Sequence, residues 1–104
     1  MTISFIDPPQ VRHLGELASL KKAILSHFDG DSGLRFHTDE DRWQAIVHYY
    51  GPAQRALIAA QMRELLSRED DFVLAFWDRH SDYFWFETCD RLRVYLEQKA
   101  ALLE

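Results

Sequence analysis

Apolar positions recur along this chain at spacings of three and four residues in five separate stretches, which predicts five helices that each bury one side. The first covers residues 16–28. Leu17, Leu20, Ile24 and Phe28 form its stripe, Leu25 lies alongside, and Lys21, Lys22 and Ser26 fall on the opposite side. Asp29-Gly30-Asp31-Ser32-Gly33 then reads as a helix stop and loop, with Leu34 and Phe36 as anchors for the crossing to the next element. The second helix starts at Thr38, a side-chain N-cap followed by Asp39, Glu40 and Asp41 in the dipole-favoured first turn, and continues through Trp43, Ile46, Val47 and Tyr50. Gly51-Pro52 closes one helix and opens another, because glycine suits a helix end and proline suits the first helical position.

The third helix spans residues 52–66. It is rich in alanine and leucine, with Ile58, Met62, Leu65 and Leu66 on its apolar arc and Arg55, Arg63 and Arg68 making it the one basic element. Ser67, with Asp70 three positions on, is expected to cap a fourth helix that carries Phe72, Val73, Phe76 and Trp77 and ends near residues 79–81. Tyr83-Phe84-Trp85-Phe86 has no helical stripe and reads as an extended link that pins the last helix to the core. That helix is expected over residues 88–102, with Cys89, Leu92, Leu96 and Leu103 inward, Tyr95 and Ala100 beside them, and Arg91, Arg93, Glu97 and Gln98 in water. At the other end, residues 2–6 form a short edge strand or a tail laid on the core, stopped by Pro8 and Pro9. The whole is expected to be an all-α, bundle-like single domain over residues 1–104.

Composition supports a folded chain. It is 47% hydrophobic, with 3 Trp, 4 Tyr and 7 Phe and only 4 Gly, too apolar for disorder. The single cysteine, Cys89, cannot close an internal disulfide and points to a reducing compartment such as the cytoplasm. No basic segment precedes the short apolar run at the N-terminus, and no stretch approaches the roughly 18 apolar residues of a membrane span. Neither a signal peptide nor a membrane anchor is therefore expected.

Charge adds the first hint of function. The net charge is −5, and residues 69–104 supply all of it, with nine acids against four bases. Such a surface repels nucleic-acid phosphate and attracts basic proteins, so direct nucleic-acid binding is not expected. Chemistry is poorly represented. His13, His27, His37, His48 and His80 are scattered, make no metal-ligand spacing, and are expected at the surface or half-buried. The residue 29–33 segment begins like a calcium loop but places Leu34 where that loop requires glycine. Cys89 falls on an apolar helix face and Ser67 is accounted for by capping, so no catalytic residue, metal or cofactor is expected. Carboxylates interleaved with aromatics remain: Asp78, Asp82, Tyr83, Trp85, Glu87 and Asp90 lie within thirteen residues, a composition suited to a protein interface. Tyr83 or Trp85 is the expected exposed aromatic.

The order of these features resembles the small helical CdiI-type immunity proteins of bacterial contact-dependent growth inhibition systems, over residues 20–96. The resemblance rests on Ser26-His27-Phe28-Asp29 and the Asp31 loop, then on the acidic start Thr38-Asp39-Glu40-Asp41. It continues through the Leu/Ala-rich helix into Ser67-Arg68-Glu69-Asp70, the aromatic helix followed by Asp82-Tyr83-Phe84, and the Tyr95-Leu96 pair. The chain departs from that pattern at residues 30–33 and at Trp85-Phe86-Glu87. What the resemblance implies is a protein that binds the C-terminal toxin domain of its own strain's secreted effector, often a nuclease with a basic groove, and neutralises it. The other reading open from sequence is a small acidic adaptor or regulator, including a homodimer built on a self-complementary aromatic surface.

Overall fold

The structure, a computed structural model, describes residues 17–82 and 85–104. The protein is all-α. Among the described residues there are six helices and no strand: α1 (Ala18–His27), α2 (Ser32–Arg35), α3 (Asp39–Tyr49), α4 (Pro52–Leu66), α5 (Asp70–His80) and α6 (Cys89–Leu103). The expected segment at residues 2–6 lies outside the described residues.

Local chemistry sets most boundaries. Thr38 is extended, and its Oγ1 accepts the Asp41 N–H at 3.0 Å, which satisfies one of the free donors at the start of α3. Thr88 does the same for α6, accepting from the Arg91 N–H at 3.3 Å. Pro52 opens α4 as its sequence predicts, but Gly51 does not close α3: Tyr50 is that helix's C-cap, and Gly51, extended at φ −72°, is the N-cap of α4. Ser67 does not cap α5. It keeps helical angles, its N–H still bonds Arg63 and Glu64 carbonyls, and its hydroxyl donates back to the Glu64 carbonyl at 2.6 Å. Ser67 therefore belongs to the end of α4, and extended Glu69 precedes α5. Only Arg68 separates the two helices' caps, too little chain for Ser67 to leave one helix and start the next.

The second difference is in the loop after α1, where residues 32–35 wind into the single turn of α2. That turn leaves Leu34 89% exposed, so it anchors nothing, while Phe36 is half-buried against His27.

One core joins these helices. α4 and α6 pack most extensively, and α1 lies against α4. The buried residues of α4 are Ile58, Ala59, Met62 and Leu65, and those of α6 are Cys89, Leu92, Leu96, Ala100 and Leu103. Leu57 is exposed, because the buried arc of α4 is centred on Ile58 and Met62. Leu17, Leu20, Ala23, Ile24 and Phe28 come from α1 and its ends, Trp43 and Ile46 from α3, and Val73, Phe76 and Trp77 from α5. Phe28 is central, with its ring centroid 5.1 Å from that of Trp77 and 5.8 Å from that of Trp43. Leu25 stays exposed on the outer side of α1.

Replacing Thr38 or Thr88 by alanine is expected to lower stability by about 1 kcal/mol each, the worth of a side-chain N-cap. Ser67→Ala, which removes no N-cap, should change it by less than about 0.5 kcal/mol. Urea denaturation of the three variants separates these cases.

Candidate protein-binding face around α6

α6 is the element on which the candidate site stands, and two sets of polar bonds fix it. On one side the Trp43 indole N–H donates to the Tyr95 hydroxyl (2.7 Å), which donates to Asp39 Oδ1 (2.8 Å). The same carboxylate oxygen accepts from the Arg42 guanidinium at 3.0 Å, and Lys99 Nζ stands 3.6 Å from the other oxygen. Burial, reinforced by the Asp39 carboxylate, pushes the Tyr95 hydroxyl far above its ordinary range, so it remains a proton donor. Arg42 is 1% exposed. Its Nε–H donates to the His27 carbonyl at the end of α1 (3.0 Å), and its guanidinium lies 4.7 Å from the Phe28 ring centroid. A buried cation needs both a counter-charge and filled donors, and Asp39 and His27 supply them.

On the other side Arg93 reaches the corner between α4 and α5. It donates to the Leu66 carbonyl (2.7 Å), the Arg68 carbonyl (2.6 Å) and Asp70 Oδ1 (2.9 Å). Arg93 is thus a clamp rather than the wet side chain its sequence suggests. Its guanidinium, followed by the Cys89 thiol, holds the Asp70 carboxyl below the usual carboxylate range. Cys89 is buried, with Sγ 3.6 Å from the Asp70 carbonyl, and burial pushes its thiol up, so the nucleophilic thiolate is scarce at neutral pH.

The start of α6 lies beside the start of α5. Asp82 N–H bonds the Phe28 carbonyl (2.7 Å), the Phe86 ring packs 5.9 Å from Trp77 and 5.0 Å from Tyr95, and Cys89 arrives beside Asp70. The acids that cluster in sequence are therefore spread in space. Asp78 lies in the last turn of α5 and Asp82 just after it, whereas Glu87 and Asp90 flank the start of α6, where Cys89 meets Asp70 at the start of α5. All four are exposed. Trp85 is 67% exposed, while Phe86 pins the link to the core; Tyr83 lies outside the described residues. Next to Phe86 a shallow open depression of about 360 Å³ is lined by Phe86, Asp90, Arg91 and Val94. Sequence reasoning did not single out Val94, which is 59% exposed, because its position on a helix otherwise read as half-wet gave no signal.

Two histidines depart from expectation. His27 and His80 are buried, each the last residue of its helix, and each Nδ1–H donates to the carbonyl four residues back, Ala23 (3.0 Å) and Phe76 (2.8 Å). A carbonyl only accepts, which places the proton on Nδ1. Burial lowers both pKa values from 6.5, with Arg35 and Arg42 also opposing a charge on His27, and Lys21 and Arg79 one on His80. His37 and His48 are exposed. Among the described residues no three of His, Cys, Asp and Glu gather to hold a metal ion, and no helix is long and apolar enough to cross a membrane.

No model of a known protein family, no curated protein and no solved structure matches this chain.

Asp39→Ala should cost about 3 kcal/mol, since it strips a buried guanidinium of its counter-charge. Chemical denaturation tests this, with Asp41→Ala as an exposed first-turn comparison that should lose far less. The two buried histidines also predict a pH effect. The unfolded chain takes up their protons first as pH falls below 6.5, so their contribution is complete above that value and declines below it. Denaturation midpoints should drop between about pH 7 and about pH 5.5, and the drop should shrink in a His27→Asn/His80→Asn double variant.

Proposed function

We propose that this protein acts by binding another protein, and that it is an immunity protein that neutralises a cognate toxin domain, a nuclease with a basic substrate groove, in the bacterial cytoplasm. The observation that carries the binding part is Trp85: a large aromatic, 67% exposed, one residue along the chain from Phe86, which lines an apolar depression with Val94, Asp90 and Arg91. An exposed tryptophan adjoining such a residue in the chain has the makings of an interface anchor, and the acids of the same stretch favour a basic partner. The toxin-neutralising part rests on the sequence resemblance to CdiI-type immunity proteins and on the acidic residues 69–104. An acidic inhibitor that sits on or near a nuclease groove excludes the phosphate substrate by charge as well as by bulk.

Asp78, Asp82, Tyr83, Trp85, Glu87 and Asp90 are the proposed contact residues. Trp85 is the affinity anchor, and the acids steer encounter. The adaptor reading differs in its partner and not in this surface.

The test is co-expression with the toxin domain encoded next to this gene, together with binding measurements on the purified pair. Growth should be rescued. Trp85→Ala should weaken affinity at least about tenfold, mainly through faster dissociation, and the association rate should fall steeply with added salt. Absence of rescue and of co-purification with that domain would refute the immunity reading.

A further inference from the structure

The arc of α6 opposite its core residues has no helix against it among the described residues. Cys89, Leu92, Leu96, Ala100 and Leu103 point into the protein. At about 100° per residue, Asp90, Arg91, Val94, Gln98, Ala101 and Leu102 fall on the other side, and all six are exposed. The edges of this arc are defined. Tyr95 and Lys99 turn toward Asp39 on α3, and Arg93 turns toward the α4–α5 corner. Between them runs a face about 22 Å long, the length of a fifteen-residue helix, with the Phe86–Val94 depression at one end and Ala101 and Leu102 at the other. Val94 at 59% and Leu102 at 45% exposure are apolar groups left in water with no role in the core.

We propose that this outer face of α6 docks an amphipathic helix of the partner protein, one whose apolar stripe is bordered by Lys or Arg. The proposal rests on the reading above, that the chain binds a basic protein. Gln98 and Ala101 are small or flexible enough to let a second helix approach, and Val94, Leu102 and the Phe86 ring give its apolar side chains somewhere to pack. Charge selects the occupant. Asp90 and Glu97 border the face, and Glu69, Asp71 and Glu87 stand exposed around its N-terminal end, against a single unclamped base, Arg91. A second copy of this chain would bring the same acids face to face and is disfavoured; a basic helix meets opposite charge around the N-terminal end of the face and at Glu97.

The probe is a synthetic amphipathic Leu/Lys helix titrated into the full chain and followed by amide NMR, with a Leu/Glu helix of the same pattern as control. Shifts should map to the outer face of α6, and the Leu/Glu peptide should bind at least about tenfold more weakly. Val94→Lys and Ala101→Lys, both on exposed positions, should each weaken the Leu/Lys peptide about tenfold or more, whereas Leu34→Lys, on the exposed α2 turn, should leave it unchanged. Shifts centred elsewhere, equal binding of the two peptides, or insensitivity to both α6 variants would overturn the proposal. So would a dimer of the free chain that Val94→Lys dissolves, which would give the face to a second copy. The two readings fail separately. Rescue by wild type that both α6 variants retain removes this face and leaves the immunity function, and peptide binding at α6 without toxin rescue removes the immunity function and leaves the face.

Discussion

A buried guanidinium sets the terms for the rest of the molecule. Arg42 sits in the core with its charge against Asp39, its Nε–H on the last carbonyl of α1, and its plane over Phe28. Those donors tie α1 to α3, and through Asp39 and Tyr95 to α6, so breaking one partner would leave a buried charge uncompensated. Asp39 then does two jobs at once. It stands in the first turn of α3, where the helix dipole favours a carboxylate, and it receives Tyr95 from α6. Because Tyr95 also takes the Trp43 N–H, the orientation of α6 about its own axis is fixed by a chain of bonds that begins at Arg42.

The same device closes other helix ends. Arg55 donates to the Val47 and Tyr50 carbonyls after α3, and Arg93 to the Leu66 and Arg68 carbonyls after α4. At the other polarity, α1 has no side-chain cap of its own, and Gln61 of α4 accepts the Leu20 N–H at 2.8 Å. Free carbonyls at a helix C-terminus carry partial negative charge, so a guanidinium there satisfies hydrogen bonds and dipole together. The exposed Arg63–Glu104 pair, bidentate at 2.9 and 3.0 Å, adds a tie between α4 and the end of α6, but in water such a pair contributes little. The outcome is an α6 tied along its inner face and edges, while among the described residues its outer face is exposed.

The acids have two origins. Asp70, Asp71 and Asp90 occupy first turns of α5 and α6, where helix electrostatics favour them, and Asp70 also receives Arg93. Asp78, Asp82 and Glu87 stand in no helix's first turn and are exposed, as is Trp85.

The sequence by itself determined the helices. Thr38, Thr88 and Gly51-Pro52 act within a few residues of themselves, so the starts of α3, α4 and α6 follow from local chemistry, and the three- and four-residue apolar spacing fixed most inward faces. Where two local signals competed, as at Ser67, the shortness of the connection decided, and composition could not reveal that. Tertiary structure alone decided the rest. Arg42 is buried with its Nε–H on the His27 carbonyl fifteen residues back, a partner that polarity in the sequence does not reveal, and His27 and His80 keep local bonds to their own helices while the packing of the helix ends buries them. The acidic stretch reads as one cluster because its members are neighbours along the chain. Packing sets Val94 beside Phe86 and brings Cys89 to Asp70, because contact between distant residues is made by packing and not by order in the chain.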